Sequence, residues 1–252
     1  MKALQSNNSK VVSLYVSRGA YISFIQYIVE NSLLRISSYV CVANVHMCIE
    51  AYDDPAFAQV VNGADLITPD GMPLAKAIKV LYGEDQDRVA GMDLLPDLLQ
   101  EAEHKGLSCF VYGGSEKMLT KSKEYIETKY PVLRCGFYSP PFRPLTAEEE
   151  QADVDRINAF GAHLVFVALG CPKQEKWMAR MKGRIQACMI GIGGALPVMV
   201  GMQNRAPAWM QNASLEWLYR LMQEPKRLFK RYAYTNTKFL YLLFKQKLGI
   251  LK

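Results

Sequence analysis

Short runs of β-branched and apolar residues alternate with helix-length amphipathic stretches along most of this chain, and that alternation narrows the fold more than any other feature. The runs are V-V-S-L-Y-V-S (11–17), S-S-Y-V-C-V-A (37–43), L-S-C-F-V-Y (107–112), V-L-R-C-G-F-Y (132–138), A-H-L-V-F-V-A-L (162–169) and Q-A-C-M-I-G-I (186–192). Between them lie stretches such as Tyr21 to Leu34, Ser115 to Lys129 and Thr146 to Phe160. Strands that are apolar on both faces and separated by helices predict an α/β fold with a parallel sheet covered on both sides. Helix starts are marked at Ser115 after a Gly-Gly turn, at Thr146 before A-E-E-E, and at Pro172 after Gly170-Cys171. The stretch S-P-P-F-R-P at 139–144 reads as an irregular loop. The sheet pattern stops near Gly201, which divides the chain into an α/β catalytic core, 1–200, and a basic helical C-terminal appendage, 201–252.

With 252 residues, half of them hydrophobic, the chain holds enough apolar material for one substantial core. Its six cysteines are scattered without a C-x-x-C pair and mostly lie inside apolar runs, as reduced thiols do in the cytosol. The N-terminal segment lacks a signal-peptide pattern, and no run approaches the roughly 20 apolar residues that span a bilayer. A cytoplasmic protein is therefore expected. The net charge of +6 is concentrated at one end: Glu216 to Lys252 carries nine Lys or Arg against two acids. Such a field gathers polyanions, either a phosphate-rich substrate or an acidic membrane surface. Nucleic acid is not among the expected partners.

Five segments can carry chemistry. In A-D-L-I-T-P-D-G-M-P (64–73) a short strand ends at Asp70, where ligands collect in open α/β sheets. Asp70 is either a catalytic base or a turn residue that caps the next helix. Asn44, at the end of the preceding strand, either binds sugar hydroxyls or caps the helix that follows. In V-A-L-G-C-P-K-Q-E-K-W (167–177), Gly170 opens a strand-to-helix turn whose amides and helix dipole suit a diphosphate, with Lys173 and Gln174 at the rim. The junction V-Y-G-G-S, with Gly113 and Gly114, is similar. The tail, finally, combines aromatics with Arg205, Arg220, Arg227 and Arg231, whose guanidiniums suit phosphate oxygens. Beyond Pro225 its apolar residues recur at near-helical spacing among lysines, so it either lies in a headgroup layer or packs on the protein's own core.

Other patterns fail. G-I-G-G-A-L (191–196) has Leu196 where a dinucleotide fingerprint needs glycine, which disfavours an NAD-linked oxidoreductase. There is no serine-hydrolase elbow and no P-loop. Asp85-Gln86-Asp87 is a D-x-D, but it sits in a polar loop with no strand before it and reads as solvated surface. With three histidines in the chain, a His-built metal site has little support, and neither metal nor cofactor is expected.

Taken in order, Asn44, A-D-L-I-T-P-D-G, R-V-A-G-M-D-L, V-Y-G-G-S, G-C-P-K-Q-E-K-W, R-A-P-A-W and E-W-L-Y-R-L-x-x-E-P-x-R make the chain resemble the WecG/TagA/CpsF glycosyltransferases, family 26. The resemblance implies a Rossmann-like core and an inverting, metal-independent transfer from a UDP-sugar to a polyprenyl diphosphate-linked sugar, at the inner face of the bacterial cytoplasmic membrane. Products of that kind feed wall teichoic acid, common antigen or exopolysaccharide. It also implies that Asp70 is the base, that Asn44, Arg88 and Gln174 line the pocket, and that Arg220 and Arg227 close over the diphosphate; homo-oligomers belong to the same expectation. Two departures stand out: Val42-Ala43-Asn44 replaces the frequent Thr-x-Asn, and Leu196-Pro197 replaces a frequent Phe-Asp. A noncatalytic membrane-surface scaffold that binds nucleotide sugars is the alternative from a different class.

Overall fold

The computed structural model describes residues 7–251. A hairpin of β1 (Asn8–Val11) and β2 (Leu14–Ser17) precedes α1 (Tyr21–Leu33), β3 (Ser38–Ala43), α2 (Val45–Asp53), α3 (Pro55–Asn62), β4 (Leu66–Pro69) and α4 (Met72–Tyr82). There follow α5 (Gly91–His104), β5 (Cys109–Gly113), α6 (Glu116–Lys129), β6 (Cys135–Tyr138), α7 (Ala147–Phe160), β7 (Leu164–Ala168), α8 (Lys173–Met181) and β8 (Cys188–Gly191). The chain ends in α9 (Ala195–Met199), α10 (Ala208–Asn212), α11 (Glu216–Gln223) and α12 (Pro225–Lys247). Six strands form a parallel sheet in the order β4-β3-β8-β7-β5-β6, flanked by helices, which is the expected α/β class.

One expected strand is different. V-V-S-L-Y-V-S is no member of the parallel sheet: it is split between β1 and β2, an antiparallel pair in a separate two-stranded sheet. The chain reverses at Val12-Ser13, with Val12 at φ 57, a region that β-branched residues rarely enter. The Val12 amide donates to Gln246 Oε1 at 2.7 Å, and Gln246 Nε2 donates to the Lys10 carbonyl at 2.7 Å, so the end of α12 holds this turn.

Close contacts divide the chain into two compact units. The first comprises Met1–Phe24, Val42–Ala90 and Asn204–Lys252; the second comprises Ile25–Cys41 and Gly91–Gln203. In the first, α12 lays Leu228, Thr235, Phe239 and Leu242 inward, and Asp53 at the end of α2 accepts from Tyr234 Oη at 2.7 Å and from Lys238 Nζ. Its other side exposes Phe229, Leu240, Tyr241 and Phe244. Both readings of the tail thus draw on different faces of one helix. No helix among the described residues is long and apolar enough to cross a membrane.

The second unit is the body of the sheet. Val111, Val165, Phe166 and Ile190 are fully buried, as strands covered on both faces require. The expected caps are present: the Ser115 side chain accepts from the Met118 amide, and Thr146 and Glu149 form a reciprocal capping box.

Candidate active site

Asn44 and Asp70 lie immediately past the carboxyl ends of the neighbouring strands β3 and β4. The Asp70 amide donates to the Ala43 carbonyl at 2.7 Å, which continues the strand pairing and brings the two side chains together. Asn44 Nδ2 then faces Asp70 Oδ2 at 3.5 Å, while Asn44 Oδ1 accepts from the Met47 amide and caps α2. The capping reading of Asn44 therefore holds, and the same amide still turns its nitrogen toward the carboxylate. For Asp70 the capping reading fails: α4 is preceded by Gly71 at φ 86, with no side-chain cap, so the carboxylate is left for other work.

Arg88 joins this pair through the backbone. The segment after Gly83 returns beside β4, where the Val89 amide donates to the Pro69 carbonyl at 3.0 Å and Thr68 Oγ1 donates to the Val89 carbonyl at 3.2 Å. Arg88 Nη2 donates to Gln211 Oε1 at 3.0 Å and Nη1 to Glu216 Oε2 at 3.3 Å. Arg220 follows Glu216 by one turn of α11, which puts both charges on one face of that helix, and both act on the Asp70 carboxyl. Burial above all, and then the Glu216 carboxylate, push the Asp70 carboxyl up to about 7; the Asn44 hydrogen bond, Arg220 and Arg88 pull the other way. An acid in that range exchanges a proton near neutral pH, the property a general base needs.

Arg227 and Arg231, with Arg220 again, act on a second acid. Arg227 Nε donates to Glu224 Oε2, and Arg227, Arg220 and Arg231 together hold the Glu224 carboxyl below its ordinary range, the Arg227 hydrogen bond first. Burial, helped by Arg231, pushes His46 down to about 4, so its imidazole is neutral. Arg205 is partly buried just ahead of α10.

In the second unit the glycine junctions are built from backbone. Gly113 ends β5 at φ 101, and a Cβ there would sit 2.9 Å from the Ala168 carbonyl group. Gly114 accepts from Ser139 Oγ at 2.6 Å. Gly170 turns at φ 77 ahead of α8, and its amide donates to Gln174 Oε1 at 3.2 Å. Lys173 is exposed, but Gln174 is not at the rim where the sequence puts it. It is 4% exposed, because Gly191 and Gly193 leave it the space their side chains would fill. Gln174 Nε2 donates to Glu175 Oε1 at 2.7 Å, and burial raises the carboxyl of this fully enclosed acid.

The acidic loop is engaged in structure. Asp85 pairs with Lys79 at 2.6 Å, Asp87 accepts from the Tyr21 amide at 2.9 Å, and Gln86 bonds both the amide and the carbonyl of Gly19. Among the described residues no group of three or more His, Cys, Asp or Glu is placed to hold a metal ion.

Two residues of the Asp70 cluster escape sequence reasoning, Gln211 and Glu216. The second stands four positions before Arg220 in E-W-L-Y-R, a spacing that places an acid and a base on one helical face, yet on sequence alone it counts only as charge.

Comparison with known proteins places these features in a lineage. A model of the Glycosyl transferase WecG/TagA/CpsF family matches residues 10–252. The N-acetylglucosaminyldiphosphoundecaprenol N-acetyl-beta-D-mannosaminyltransferase of Bacillus spizizenii is 31% identical over 191 residues, 75% of this chain and 73% of that protein.

Proposed function

Because the chain belongs to the WecG/TagA/CpsF family and is a glycosyltransferase, we propose that it moves a sugar from a UDP-sugar to a polyprenyl diphosphate-linked sugar, with inversion and without a metal ion, in cell-surface polysaccharide assembly. The acceptor class is supported by the activity for which the Bacillus spizizenii relative is named, on a diphosphoundecaprenol-linked sugar. The observation that carries the reaction type is the carboxylate of Asp70, held past the strand ends among Asn44, Arg88, Glu216 and Arg220.

In this reading Asp70 takes the proton of the acceptor hydroxyl as its oxygen bonds to the anomeric carbon, and the bond from that carbon to the diphosphate breaks on the opposite side. Asn44 orients hydroxyls near the base. Charge building on departing UDP is met by arginines rather than by a metal ion, with Arg220 and Arg227 first and Arg205 and Arg231 beside them. Arg88 is a further substrate contact of the charged cluster; in the second unit the Gly113-Gly114 and Gly170 turns and Lys173 are candidate substrate contacts, and Gln174 supports the Gly170 turn by accepting from its amide. Residues 1–200 act as the catalytic core, and 201–252 close the site and meet an anionic membrane surface on the cytoplasmic side through the exposed face of α12.

The test incubates the protein with UDP-sugars and a short-chain polyprenyl diphosphate sugar and measures UDP release with and without chelator. Release unaffected by chelator is expected. Asp70→Asn should retain UDP binding while turnover falls below about a tenth of the wild-type rate. A variant that exceeds that rate removes Asp70 from the role of base, and activity that chelator abolishes and Mg²⁺ restores removes the metal-free mechanism.

A further inference from the structure

Glu216 is the acid whose charge acts on the proposed base, and it comes from the far end of the chain. Its carboxylate and the Arg88 guanidinium meet across 128 residues of sequence, with side chains only 21% and 17% exposed. Gln211 takes the other terminal nitrogen of Arg88 and is anchored in turn by its amide on the Ala206 carbonyl at 2.7 Å. Both prongs of the Arg88 fork are therefore fixed by tail residues, and a planar guanidinium so held has little rotational freedom left.

We propose that Glu216 is a positioning residue of the transfer reaction: its carboxylate, together with Gln211, fixes the Arg88 guanidinium and stands as a second acid in the cluster of the proposed base. The proposal rests on the reading of Asp70 as the base. The charged groups that face Asp70 are Arg88 from the segment after α4 and Glu216 and Arg220 from α11, with the neutral amide of Asn44 at the end of β3. Burial raises the Asp70 carboxyl most, and the two arginines draw it back down. One glutamate offsets part of their pull, and because it is also bonded to Arg88 it keeps that cation from turning its full charge on the base. A tail that carried only arginines would bind a diphosphate and blunt the proton acceptor at the same time; Glu216 relieves that conflict.

The experiment separates the charge of Glu216 from its shape. Asp70 is followed by carbon NMR of ¹³C-labelled aspartate in the full chain without substrate, in wild type, Glu216→Gln and Glu216→Asp. Glutamine keeps an oxygen for Arg88 but removes the charge, and the Asp70 titration midpoint should fall by on the order of one pH unit. Glu216→Asp keeps the charge and should leave the midpoint close to wild type. In kinetics the acid limb of kcat/KM for Glu216→Gln should move to lower pH by the same amount, with donor KM near wild type, whereas Glu216→Ala, which also releases Arg88, should raise KM. A midpoint that stays put in Glu216→Gln overturns the proposal and leaves the base reading standing. A midpoint that moves while the acid limb does not sinks the base reading, and the proposal falls with it.

Discussion

Around Asp70 the protein concentrates side-chain charge, whereas around Gly170 it clears side chains away. The first region holds Asp70, Arg88, Glu216 and Arg220 with Asn44 and Gln211 as neutral partners. The second is a turn of backbone amides at φ 77, braced by a buried glutamine that sits over two glycines. Charge can be tuned by adding or removing one group, and it responds to pH and salt. A backbone turn is fixed by packing, so it responds to volume instead. The two regions should therefore fail in different ways.

The largest effect tests whether the charged region depends on the tail. Deleting residues after Gln211 removes Glu216 and every tail arginine beyond Arg205, and turnover and liposome association should both disappear. The deletion also uncovers the surface that Leu228, Phe239 and Leu242 cover, so a second variant is needed to separate membrane contact from folding. Leu240 and Phe244 are exposed on α12. Changing both to Ser should greatly reduce sedimentation with anionic liposomes while UDP release on a soluble short-chain acceptor stays near wild type. Sedimentation that persists assigns α12 to packing alone.

Next in size is a test of the uncharged region by volume. A Cβ at Gly191 would lie 2.8 Å from Gln174 Nε2 and 3.0 Å from Met178 Cε. Gln174 cannot yield without loosening its bonds to Gly170 and Glu175. Gly191→Ala should lower stability by about 2–3 kcal/mol, read as a lower urea midpoint. An unchanged midpoint would mean that Gln174 has room to move.

These same contrasts explain what the sequence makes legible. The parallel sheet is readable because each of its strands is apolar on both faces, and Asn44 and Asp70 are readable because they end strands. Gln174 misleads: a polar triplet beside a turn reads as a rim, and nothing local reveals that Gly191 and Gly193 open a space for it. The hairpin misleads for a similar reason. V-V-S-L-Y-V-S has the composition of one strand, and the amide of its turn is held by Gln246, 234 residues away. Glu216 belongs with these, since its meaning comes from Arg88, far earlier in the chain. Residues defined by their neighbours in sequence are visible there, while those defined by partners across the fold are not.

The smallest effect asks what the charged region costs. Asp70 has its carboxyl raised from the ordinary 3.8 to about 7, so ionising it is harder in the folded protein than in the unfolded chain. Below about pH 3 both states keep the proton and the group takes almost nothing from stability. As pH climbs, the unfolded chain releases its proton first, and stability is lost steadily until the folded carboxyl ionises too; above that the deficit is constant. Asp70→Asn keeps the shape and removes the charge, so it should be more stable than wild type by about 1–2 kcal/mol at about pH 5, and nearly equal to it at about pH 3. Thermal unfolding at the two pH values measures the difference. A gain of the same size at both would show that the carboxylate bears no penalty for its position, and the contrast between the two regions would lose its energetic side.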